Sequence, residues 1–313
     1  MDEPEYVTEF PQNYLWLIII MDFSRITLGS AQFGMQYGAT NGSGKPEICE
    51  VRRILGIAKD NGIERIDTAT NYGVAEETLG AIGVHDFEIT SKLPGYMAKY
   101  GPIDQWINSQ VLGSLRRLKL NQIDTLLLHE PLDLLSELGN KIFDCLKFFK
   151  ANRVIKKIGI SVYDTEVVYE ILDNFDIDVV QAPFNLVDRR FVRSGLTKDL
   201  KDRNIEFHAR SIFLQGVLLQ DIDSIPKQLS LAEPKLRKWA TLSKDENSDR
   251  LNICLNYVLA NKNIDQAIIG VDTAWQLQEL INQKVSKNQN DKYDWLESTV
   301  EKVIDPRLWR NSR

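Results

Sequence analysis

Short apolar runs rich in β-branched residues alternate with longer amphipathic segments from Arg25 onward. Eight of these runs have the length and composition of buried strands: RITLGS, ERIDTA, FEITSKL, IDTLLLHE, KKIGISV, DVVQAPF, IEFHARS and DQAIIGV. Runs without a polar face are typical of strands that are covered on both sides, as in a parallel sheet. The pattern therefore predicts eight parallel strands joined by crossover helices.

Helical periodicity is clearest in two of the segments between these strands. The first apolar face consists of Ile48, Val51, Ile54, Leu55 and Ala58. The second follows Pro102 and consists of Ile103, Trp106, Ile107, Val111, Leu115 and Leu118. Asp164 is the predicted N-cap of a third helix, and further helices are predicted over residues 251–259 and 277–281.

Eight strand–helix units within roughly 250 residues predict an α/β protein with a closed (β/α)8 TIM barrel. An open doubly wound sheet is the alternative, but the sequence lacks its GxGxxG fingerprint. We expect one barrel domain over residues 22–313 and an extension over residues 1–21. A long segment after strand 7 and a C-terminal tail after Lys287 exceed usual loop lengths and are predicted substrate lids. For the tail, a cap on the opposite end of the barrel is the alternative.

The composition narrows the class of protein. The 313 residues are 43% hydrophobic and carry a net charge of -6, which predicts a soluble protein without a nucleic-acid surface. The run YLWLIIIM in the extension is too short to span a bilayer and follows an acidic leader, so no membrane association is expected. Cys49, Cys145 and Cys254 lack the spacing of a disulfide framework or a zinc site, which predicts a cytoplasmic location.

Four polar residues fall at the ends of neighbouring predicted strands. Asp67 ends strand 2, Lys92 lies near the end of strand 3, and His129 ends strand 4, while Tyr72 lies in the loop after strand 2. Each residue alone is compatible with a structural role, such as a turn cap or a satisfied core histidine. Because a TIM barrel carries its active site at the C-terminal strand ends, the four together predict one site.

These four groups suit the protonation of an oxygen that is becoming an alkoxide while a hydride reaches the neighbouring carbon. A buried ammonium at Lys92 is expected to lower the pKa of Tyr72, and Asp67 is expected to pair with that ammonium. His129 can donate a hydrogen bond to a carbonyl oxygen and orient it. The sequence thus predicts a proton-donating site.

Several motifs follow one another along the chain in the order of a known family: IDTATNYG, ITSKL, SLRRLKLNQIDTLLLHEP, IKKIGIS, VVQAPFNLVDRR and AIIGVDTAWQL. Over residues 26–281 the sequence resembles the aldo-keto reductases. The resemblance implies that Tyr72 is the general acid for carbonyl reduction and that Asp67, Lys92 and His129 complete the catalytic set. It also implies a nicotinamide dinucleotide across the barrel mouth, a small-molecule carbonyl substrate and no metal.

The resemblance further implies which residues hold the dinucleotide. They are Ser161, Gln181, Arg210, Ser211, Phe213, Gly216, Gly270, Thr273, Gln276 and Glu279. Val162 replaces an Asn that usually contacts the carboxamide, and Arg210 stands where an aromatic ring commonly stacks on the nicotinamide. NADP(H) is favoured over NAD(H) by family habit. Asp272 stands where many members carry Lys or Arg and would repel a 2′-phosphate, so NAD(H) is the alternative.

The substrate is less well defined by the sequence. The predicted pocket residues are Gln32, Phe33, Tyr37 and Phe184. Arg189 and Arg190 form either a solvated helix start or an anion contact. The opening LGSAQFGMQYG resembles bacterial members linked to sugar pathways, so we expect NAD(P)H-dependent reduction of an aldehyde, ketone or keto-sugar to an alcohol.

Two other functions are compatible with the same motifs. Aldo-keto reductase barrels also serve as cofactor-binding auxiliary subunits with little turnover, although four intact catalytic positions argue against that alternative. A lyase that uses Lys92 as a Schiff-base amine would need a depressed lysine pKa, and a carboxylate at Asp67 works against it.

Overall fold

The structure is a computed structural model that describes residues 22–39, 41–42, 44–221, 229–245, 249–283 and 290–312. The predicted extension over residues 1–21 lies outside the described residues.

Eight parallel strands close into a barrel in chain order, as the sequence predicts. The strands are β1 (Ile26–Gly29), β2 (Arg65–Asp67), β3 (Glu88–Leu93), β4 (Ile123–Leu128), β5 (Ile155–Ser161), β6 (Val179–Pro183), β7 (Glu206–Arg210) and β8 (Gln266–Gly270). Strand β1 pairs with both β2 and β8, which closes the sheet. The prediction of a (β/α)8 TIM barrel is therefore confirmed.

Helices connect the strands and cover the barrel. They are α1 (Ala31–Gly34), α2 (Ile48–Asp60), α3 (Ala75–Ile82), α4 (Ile103–Leu118), α5 (Gly139–Ala151), α6 (Thr165–Leu172), α7 (Arg190–Arg193), α8 (Leu196–Asp202), α9 (Glu233–Asp245), α10 (Arg250–Leu259), α11 (Ala274–Ile281) and α12 (Glu301–Ile304). Short 3-10 helices occur at Phe23–Arg25, Ala98–Tyr100, Pro131–Leu135, Val217–Leu219, Asn290–Leu296 and Pro306–Ser312.

The helical faces follow the sequence pattern with one exception. Helix α2 buries Val51, Ile54, Leu55 and Ala58 against the barrel. Ile48, which the pattern assigns to the same face, is 46% exposed because it lies in the first turn, at the edge of the contact. The predicted cap of α6 forms, since the Asp164 carboxylate accepts a 2.8 Å hydrogen bond from the backbone N–H of Glu166.

The connection between β7 and α10 contains a packed helix, which the sequence pattern did not predict. Trp239 of α9 is buried, and its indole N–H donates a 3.0 Å hydrogen bond to the carbonyl of Leu218. Its ring lies edge-on to Tyr293, with 5.5 Å between ring centroids. Helix α9 thus joins the β7 connection to the C-terminal tail.

The tail lies on the face of the barrel where the strands end. Arg189, which follows β6, donates a 2.7 Å hydrogen bond to the carbonyl of Tyr293 and also pairs with Asp294. The backbone N–H of Ser298 donates to the carbonyl of Val187 at 2.9 Å. The described part of the tail therefore lies at the end of the barrel where a substrate lid is predicted, and the alternative of a cap on the opposite end is wrong for it.

Candidate active site

Two adjoining cavities open at the C-terminal ends of the strands. The first, here the β4 cavity, has a volume of about 620 Å3, and its lining includes His129 and Tyr163. The second, here the β8 cavity, has a volume of about 460 Å3, and its lining includes Gly270 and Asp272. Four residues line both: Tyr37, Tyr72, Arg210 and Gln215. These shared residues form the boundary between the cavities.

Two glycines fix the loop that carries Tyr72. A Cβ atom on Gly34 of α1 would lie 1.7 Å from the carbonyl oxygen of Tyr72. Gly73 has a φ of +57°, and a Cβ atom there would lie 2.4 Å from the carbonyl oxygen of Gly34. Only glycine permits this close approach of two backbones, so the loop after β2 is clamped against α1. The clamp places the phenol at the boundary of the cavities.

A buried ion pair lies behind the phenol. The Lys92 ammonium donates to Asp67 Oδ1 at 2.5 Å and to the carbonyl of Thr68 at 3.0 Å, and its side chain is 0% exposed. The Gln181 amide donates to Asp67 Oδ2 at 2.7 Å and accepts from the Ser161 hydroxyl at 3.4 Å. Both oxygens of the carboxylate are therefore satisfied, as a buried charge requires.

The phenol contacts the two basic residues that the sequence predicts beside it. Lys92 Nζ lies 4.9 Å from the centroid of the Tyr72 ring, and the His129 ring lies edge-on to Tyr72 with 6.0 Å between centroids. The structure thus brings together Asp67, Tyr72, Lys92 and His129 from the ends of three neighbouring strands.

The direction of the pKa shift at Tyr72 differs from the sequence expectation. Burial raises the pKa of the Tyr72 phenol, the Asp67 carboxylate raises it further, and the Arg210 guanidinium opposes the rise. The expected lowering by Lys92 does not prevail, because a phenolate in this position loses its solvation and the Asp67 carboxylate offsets part of the ammonium's charge. The phenol therefore stays protonated at neutral pH.

His129 is held as a neutral imidazole. Burial lowers the pKa of His129 to about 3, and the charges of Lys92 and Arg210 act in the same direction. Its Nδ1 atom is buried without a hydrogen-bond partner among the described residues. A neutral imidazole carries one N–H, so His129 can donate a hydrogen bond to a carbonyl oxygen without adding charge.

These pKa directions predict different pH profiles for the two directions of an oxidoreductase reaction. A reduction in which Tyr72 donates the proton needs the protonated phenol, so its kcat/KM is expected to stay flat between about pH 5 and pH 9 with respect to this group. Oxidation of the alcohol needs the phenolate, whose fraction rises about tenfold per pH unit below the raised pKa, so oxidation should rise throughout that range. Initial rates measured in both directions test this, and a reduction rate that falls near pH 7 would contradict it.

Lys92 is poorly suited to the Schiff-base alternative. The pKa of the Lys92 ammonium is lowered by burial, and Asp67 reduces that shift without reversing it, so the expectation that Asp67 prevents a depressed pKa is wrong. Access to the amine decides against the Schiff base instead. The side chain is enclosed, and its nitrogen is used by Asp67 and Thr68. A substrate carbonyl therefore has no access to the amine.

The residues predicted to hold a dinucleotide divide between the cavities. Those that line the β8 cavity are Arg210, Ser211, Phe213, Gly216, Gly270, Gln276 and Glu279. Ser161 lines the β4 cavity. Gln181 lines neither cavity, because its amide is used by Asp67. Thr273 also lines neither cavity, because its hydroxyl caps α11 in a reciprocal capping box with Gln276.

Two of the predicted pocket residues belong to the core. Gln32 lines the β8 cavity and Tyr37 lines both cavities, but Phe33 and Phe184 line neither. Phe33 lies on the buried face of α1, and Phe184 stacks on Tyr257 with 5.3 Å between centroids. The turns after the two strands direct these rings away from the barrel mouth.

The adjacent arginines serve the scaffold. Arg189 is buried and bound to the tail, as described above. Arg190 pairs with the buried carboxylate of Asp188 at 3.0 Å and donates to the carbonyl of Tyr163 at 2.9 Å. The two residues begin α7, as one alternative predicts, but neither is free in solvent, because Arg189 is buried and Arg190 has fixed partners within the fold.

The structure adds cavity residues that the sequence reasoning missed. Tyr163 lies two positions beyond Ser161, so extending the strand-end rule into the loop after β5 would have found it. Trp275 lines the β8 cavity, and extending the strand-end rule into the segment after β8 would have found it as well. Arg307 lies in the tail and lines the β4 cavity, and no local pattern indicates which tail residue reaches that cavity.

The end of the β8 cavity near β8 is acidic. Asp272 Oδ1 accepts a 3.0 Å hydrogen bond from the Asn41 amide, and burial raises the pKa of the Asp272 carboxyl. Glu279 lines the same end. Among the described residues that line this cavity, Arg210 is the one basic side chain, and it lies at the boundary with the β4 cavity.

The described ranges contain no group of three or more His, Cys, Asp or Glu side chains arranged to hold a metal ion. None of the helices in these ranges combines the length and the apolar character that crossing a bilayer requires.

Residues 25–299 match the model of the aldo/keto reductase family. The chain belongs to the aldo/keto reductase family. The aldo-keto reductase AKR11C1 from Bacillus halodurans is similar in structure. Its holo form has a TM-score of 0.68 and 19% identity, with 88% of this chain and 92% of that chain covered. Its apo form gives a TM-score of 0.65 and 18% identity over the same shares.

A relative in sequence is the L-galactose dehydrogenase of Arabidopsis thaliana, which is 22% identical over 261 residues. That match covers 78% of this chain and 81% of the relative. Aldo-keto reductases use nicotinamide cofactors without a metal and catalyse NAD(P)H-dependent carbonyl reduction. Membership therefore places this chain among the oxidoreductases of that general reaction.

Proposed function

We propose that this protein reduces the carbonyl of a small aldehyde, ketone or keto-sugar to an alcohol, with Tyr72 as the proton donor. The observation that carries the proposal is the position of the Tyr72 phenol at the boundary of two cavities, in front of the buried Asp67–Lys92 pair. One cavity can hold a dinucleotide and the other a carbonyl compound, so the phenol lies where the two would meet.

Each residue of the cluster has a defined task in this proposal. The phenol of Tyr72, which its raised pKa keeps protonated at neutral pH, gives its proton to the oxygen as negative charge develops there. His129, being neutral, donates a hydrogen bond that orients the same oxygen. Asp67 fixes the Lys92 ammonium 4.9 Å from the phenol ring, so that its charge favours the phenolate left behind. A bound reduced nicotinamide would supply the hydride.

The β8 cavity fits a dinucleotide. The turn after β7 contains three non-glycine residues at positive φ, namely Ser211 at 59°, Leu214 at 47° and Gln215 at 54°, followed by Gly216 at 90°. Left-handed residues in such a turn can aim backbone N–H groups into a concave surface that binds phosphates. The N–H groups of Leu214 and Gly216 hold the turn itself, because they donate to the carbonyls of Ser211 and Phe213. We assign this turn to the pyrophosphate.

The end of the β8 cavity where the adenosine would lie is the part that would distinguish NADH from NADPH. The sequence prediction of NADP(H) rests on family habit, whereas Asp272 and Glu279 make this end of the cavity acidic. A 2′-phosphate there would meet a carboxylate without a neighbouring cation among the described lining residues. We therefore propose that the protein binds NADH at least as tightly as NADPH.

Asp272→Asn is expected to tighten NADPH binding about fivefold and to leave NADH binding unchanged, since a repulsion of about 1 kcal/mol between partly solvated charges is removed. Fluorescence titration of both reduced cofactors measures this without any turnover. Asp86→Asn is the matched control, because Asp86 is exposed and pairs with Lys59, away from both cavities. Tighter binding of NADPH than NADH by the unmodified protein would overturn the proposed preference.

The reaction itself is tested by following the absorbance of each reduced cofactor with a panel of aldehydes, ketones and keto-sugars. The name of the Arabidopsis relative refers to a sugar, which is a reason to include sugar-derived carbonyl compounds. Oxidation of cofactor that depends on a carbonyl compound supports the proposal. Tight cofactor binding without turnover across the panel would favour an auxiliary cofactor-binding protein instead.

A further inference from the structure

Arg210 holds a charge at the boundary of the two cavities, and its position is fixed by the loop between β5 and α6. Its guanidinium donates a 3.0 Å hydrogen bond to the carbonyl of Val162 and lies 4.0 Å from the centroid of the Tyr163 ring. The side chain thus extends from the end of β7 toward β5, into the β4 cavity that also contains Tyr72 and His129.

Neighbouring cations differ from Arg210 in having carboxylate partners. The pairs are Lys92 with Asp67, Arg190 with Asp188, and Arg307 with Asp305. In the part of the chain that the structure describes, no carboxylate lies within ion-pair distance of Arg210. Arg210 is therefore the cation of this cluster that has no carboxylate partner of its own within the described ranges.

A partly buried guanidinium without an anion is costly, and the cost falls when a ligand brings the anion. The acidic residues that line the β4 cavity do not meet this need. Asp164 is oriented toward the N-terminus of α6, where it accepts from Glu166, and Glu130 is exposed on the cavity rim. The charge of Arg210 opposes the rise in the pKa of Tyr72 and lowers the pKa of His129. It also acts on the Asp188 carboxyl, but that group already pairs with Arg190.

A second guanidinium contacts the same aromatic ring from the C-terminal tail. Arg307 lies 3.7 Å from the Tyr163 centroid and is held by the buried carboxylate of Asp305, with 2.6 Å between the closest atoms. Tyr163 therefore positions two arginine side chains, one from a rigid strand end and one from the tail, and both line the β4 cavity. Planar guanidinium groups fixed in this way match the oxygens of a carboxylate or a phosphate.

We propose that the β4 cavity binds a substrate that carries an oxyanion, a carboxylate or a phosphate, within a few bonds of its carbonyl group. Arg210 binds the oxyanion, and Arg307 adds a contact from the tail. The short distance between carbonyl and anion follows from the placement of Arg210 beside Tyr72 at the boundary of the cavities. This inference rests on the proposed reduction of a carbonyl compound at Tyr72.

The test compares carbonyl substrates that carry an anionic group with related compounds in which that charge is removed. Succinic semialdehyde is compared with its methyl ester, and glyceraldehyde 3-phosphate with glyceraldehyde. One charge-assisted contact should favour the anionic member by roughly 10- to 100-fold in kcat/KM. Arg210→Gln is expected to remove most of that preference, and Arg307→Gln a smaller part. The two pairs separate a carboxylate from a phosphate.

A second measurement avoids turnover. Calorimetric titration of the cofactor-loaded protein with succinate and with inorganic phosphate should show binding that Arg210→Gln weakens at least about tenfold. Arg210→Lys should restore part of it, because the charge returns without the planar fork. Arg193→Gln is the matched control, since Arg193 is an exposed arginine of α7 that pairs with Glu297, and it should change neither measurement.

The outcomes separate this inference from the proposed function. Equal kcat/KM for charged and neutral members overturns the anion site and leaves carbonyl reduction standing. Absence of turnover with every substrate overturns the proposed function, and calorimetry then decides the anion site alone. If Arg210→Gln weakens dinucleotide binding and leaves the charge preference unchanged, Arg210 serves the cofactor and the inference is wrong.

Discussion

Tyr72→Phe is expected to lower kcat for carbonyl reduction by about 100- to 10,000-fold, the range that a positioned general acid contributes. The change removes one oxygen and keeps the ring that contacts Lys92 and His129. Dinucleotide affinity is expected to stay within about twofold, because the hydroxyl is assigned to the proton and not to the binding of the cofactor. Single-turnover kinetics with saturating cofactor measures the loss at the chemical step.

Tyr163→Phe is the matched control for this variant. Tyr163 lines the same cavity and loses the same oxygen, but its ring would still support Arg210 and Arg307. We expect kcat to remain within about threefold of the unmodified protein, since no proton transfer is assigned to this phenol. Comparable activity in both variants would remove Tyr72 from its role.

The sequence predicted those site residues whose positions follow from the barrel topology and whose side chains suit the chemistry. Asp67, Lys92 and His129 are separated in sequence, but a closed parallel barrel places the ends of β2, β3 and β4 side by side, so their proximity follows from fold class alone. The eight strands were predictable for a similar reason, because strands that are buried on both faces leave continuous apolar runs.

The same reasoning could not assign residues whose role depends on a partner from another strand. Gln181 has the expected position at the end of β6, but its amide is taken by Asp67 from across the barrel. Phe33 and Phe184 have the expected positions after their strands, yet the turns that follow direct both rings into the core. The position of a residue at a strand end can be predicted from the fold class. The direction in which its side chain points depends on packing against distant residues, which the local sequence does not reveal.

The direction of the pKa shift at Tyr72 also could not be predicted from the sequence. A lysine near a tyrosine suggests a lowered phenol pKa, but the balance between burial and charge depends on how completely the ammonium is neutralised. Here Asp67 pairs with Lys92 at 2.5 Å and offsets part of its charge, and burial then decides the direction of the pKa shift at Tyr72. The guanidinium of Arg210, from the opposite side of the barrel mouth, is the charge that opposes the rise.

Lys92→Met is expected to cost about 3–5 kcal/mol of the free energy of unfolding, because it leaves the buried Asp67 carboxylate without its cation. Activity should fall as well, since the phenolate at Tyr72 loses its stabilising charge. Urea unfolding with linear extrapolation measures the stability, and kcat at saturating substrate measures the function. Lys59→Met is the control, because Lys59 is an exposed lysine that also pairs with an aspartate and should show no measurable change in either quantity.

The double variant Asp67→Asn with Lys92→Met separates stability from catalysis. Neither position is then charged, and the amide oxygen introduced by Asp67→Asn can still accept from the Gln181 amide, so most of the lost stability should return. Activity is expected to stay as low as in Lys92→Met, because a neutral pair cannot favour the phenolate. Recovery of stability without activity means that the ion pair is kept for its effect on Tyr72. Recovery of both stability and activity would mean that the ion pair has only a structural role. Proton donation would then depend on Tyr72 and His129 alone.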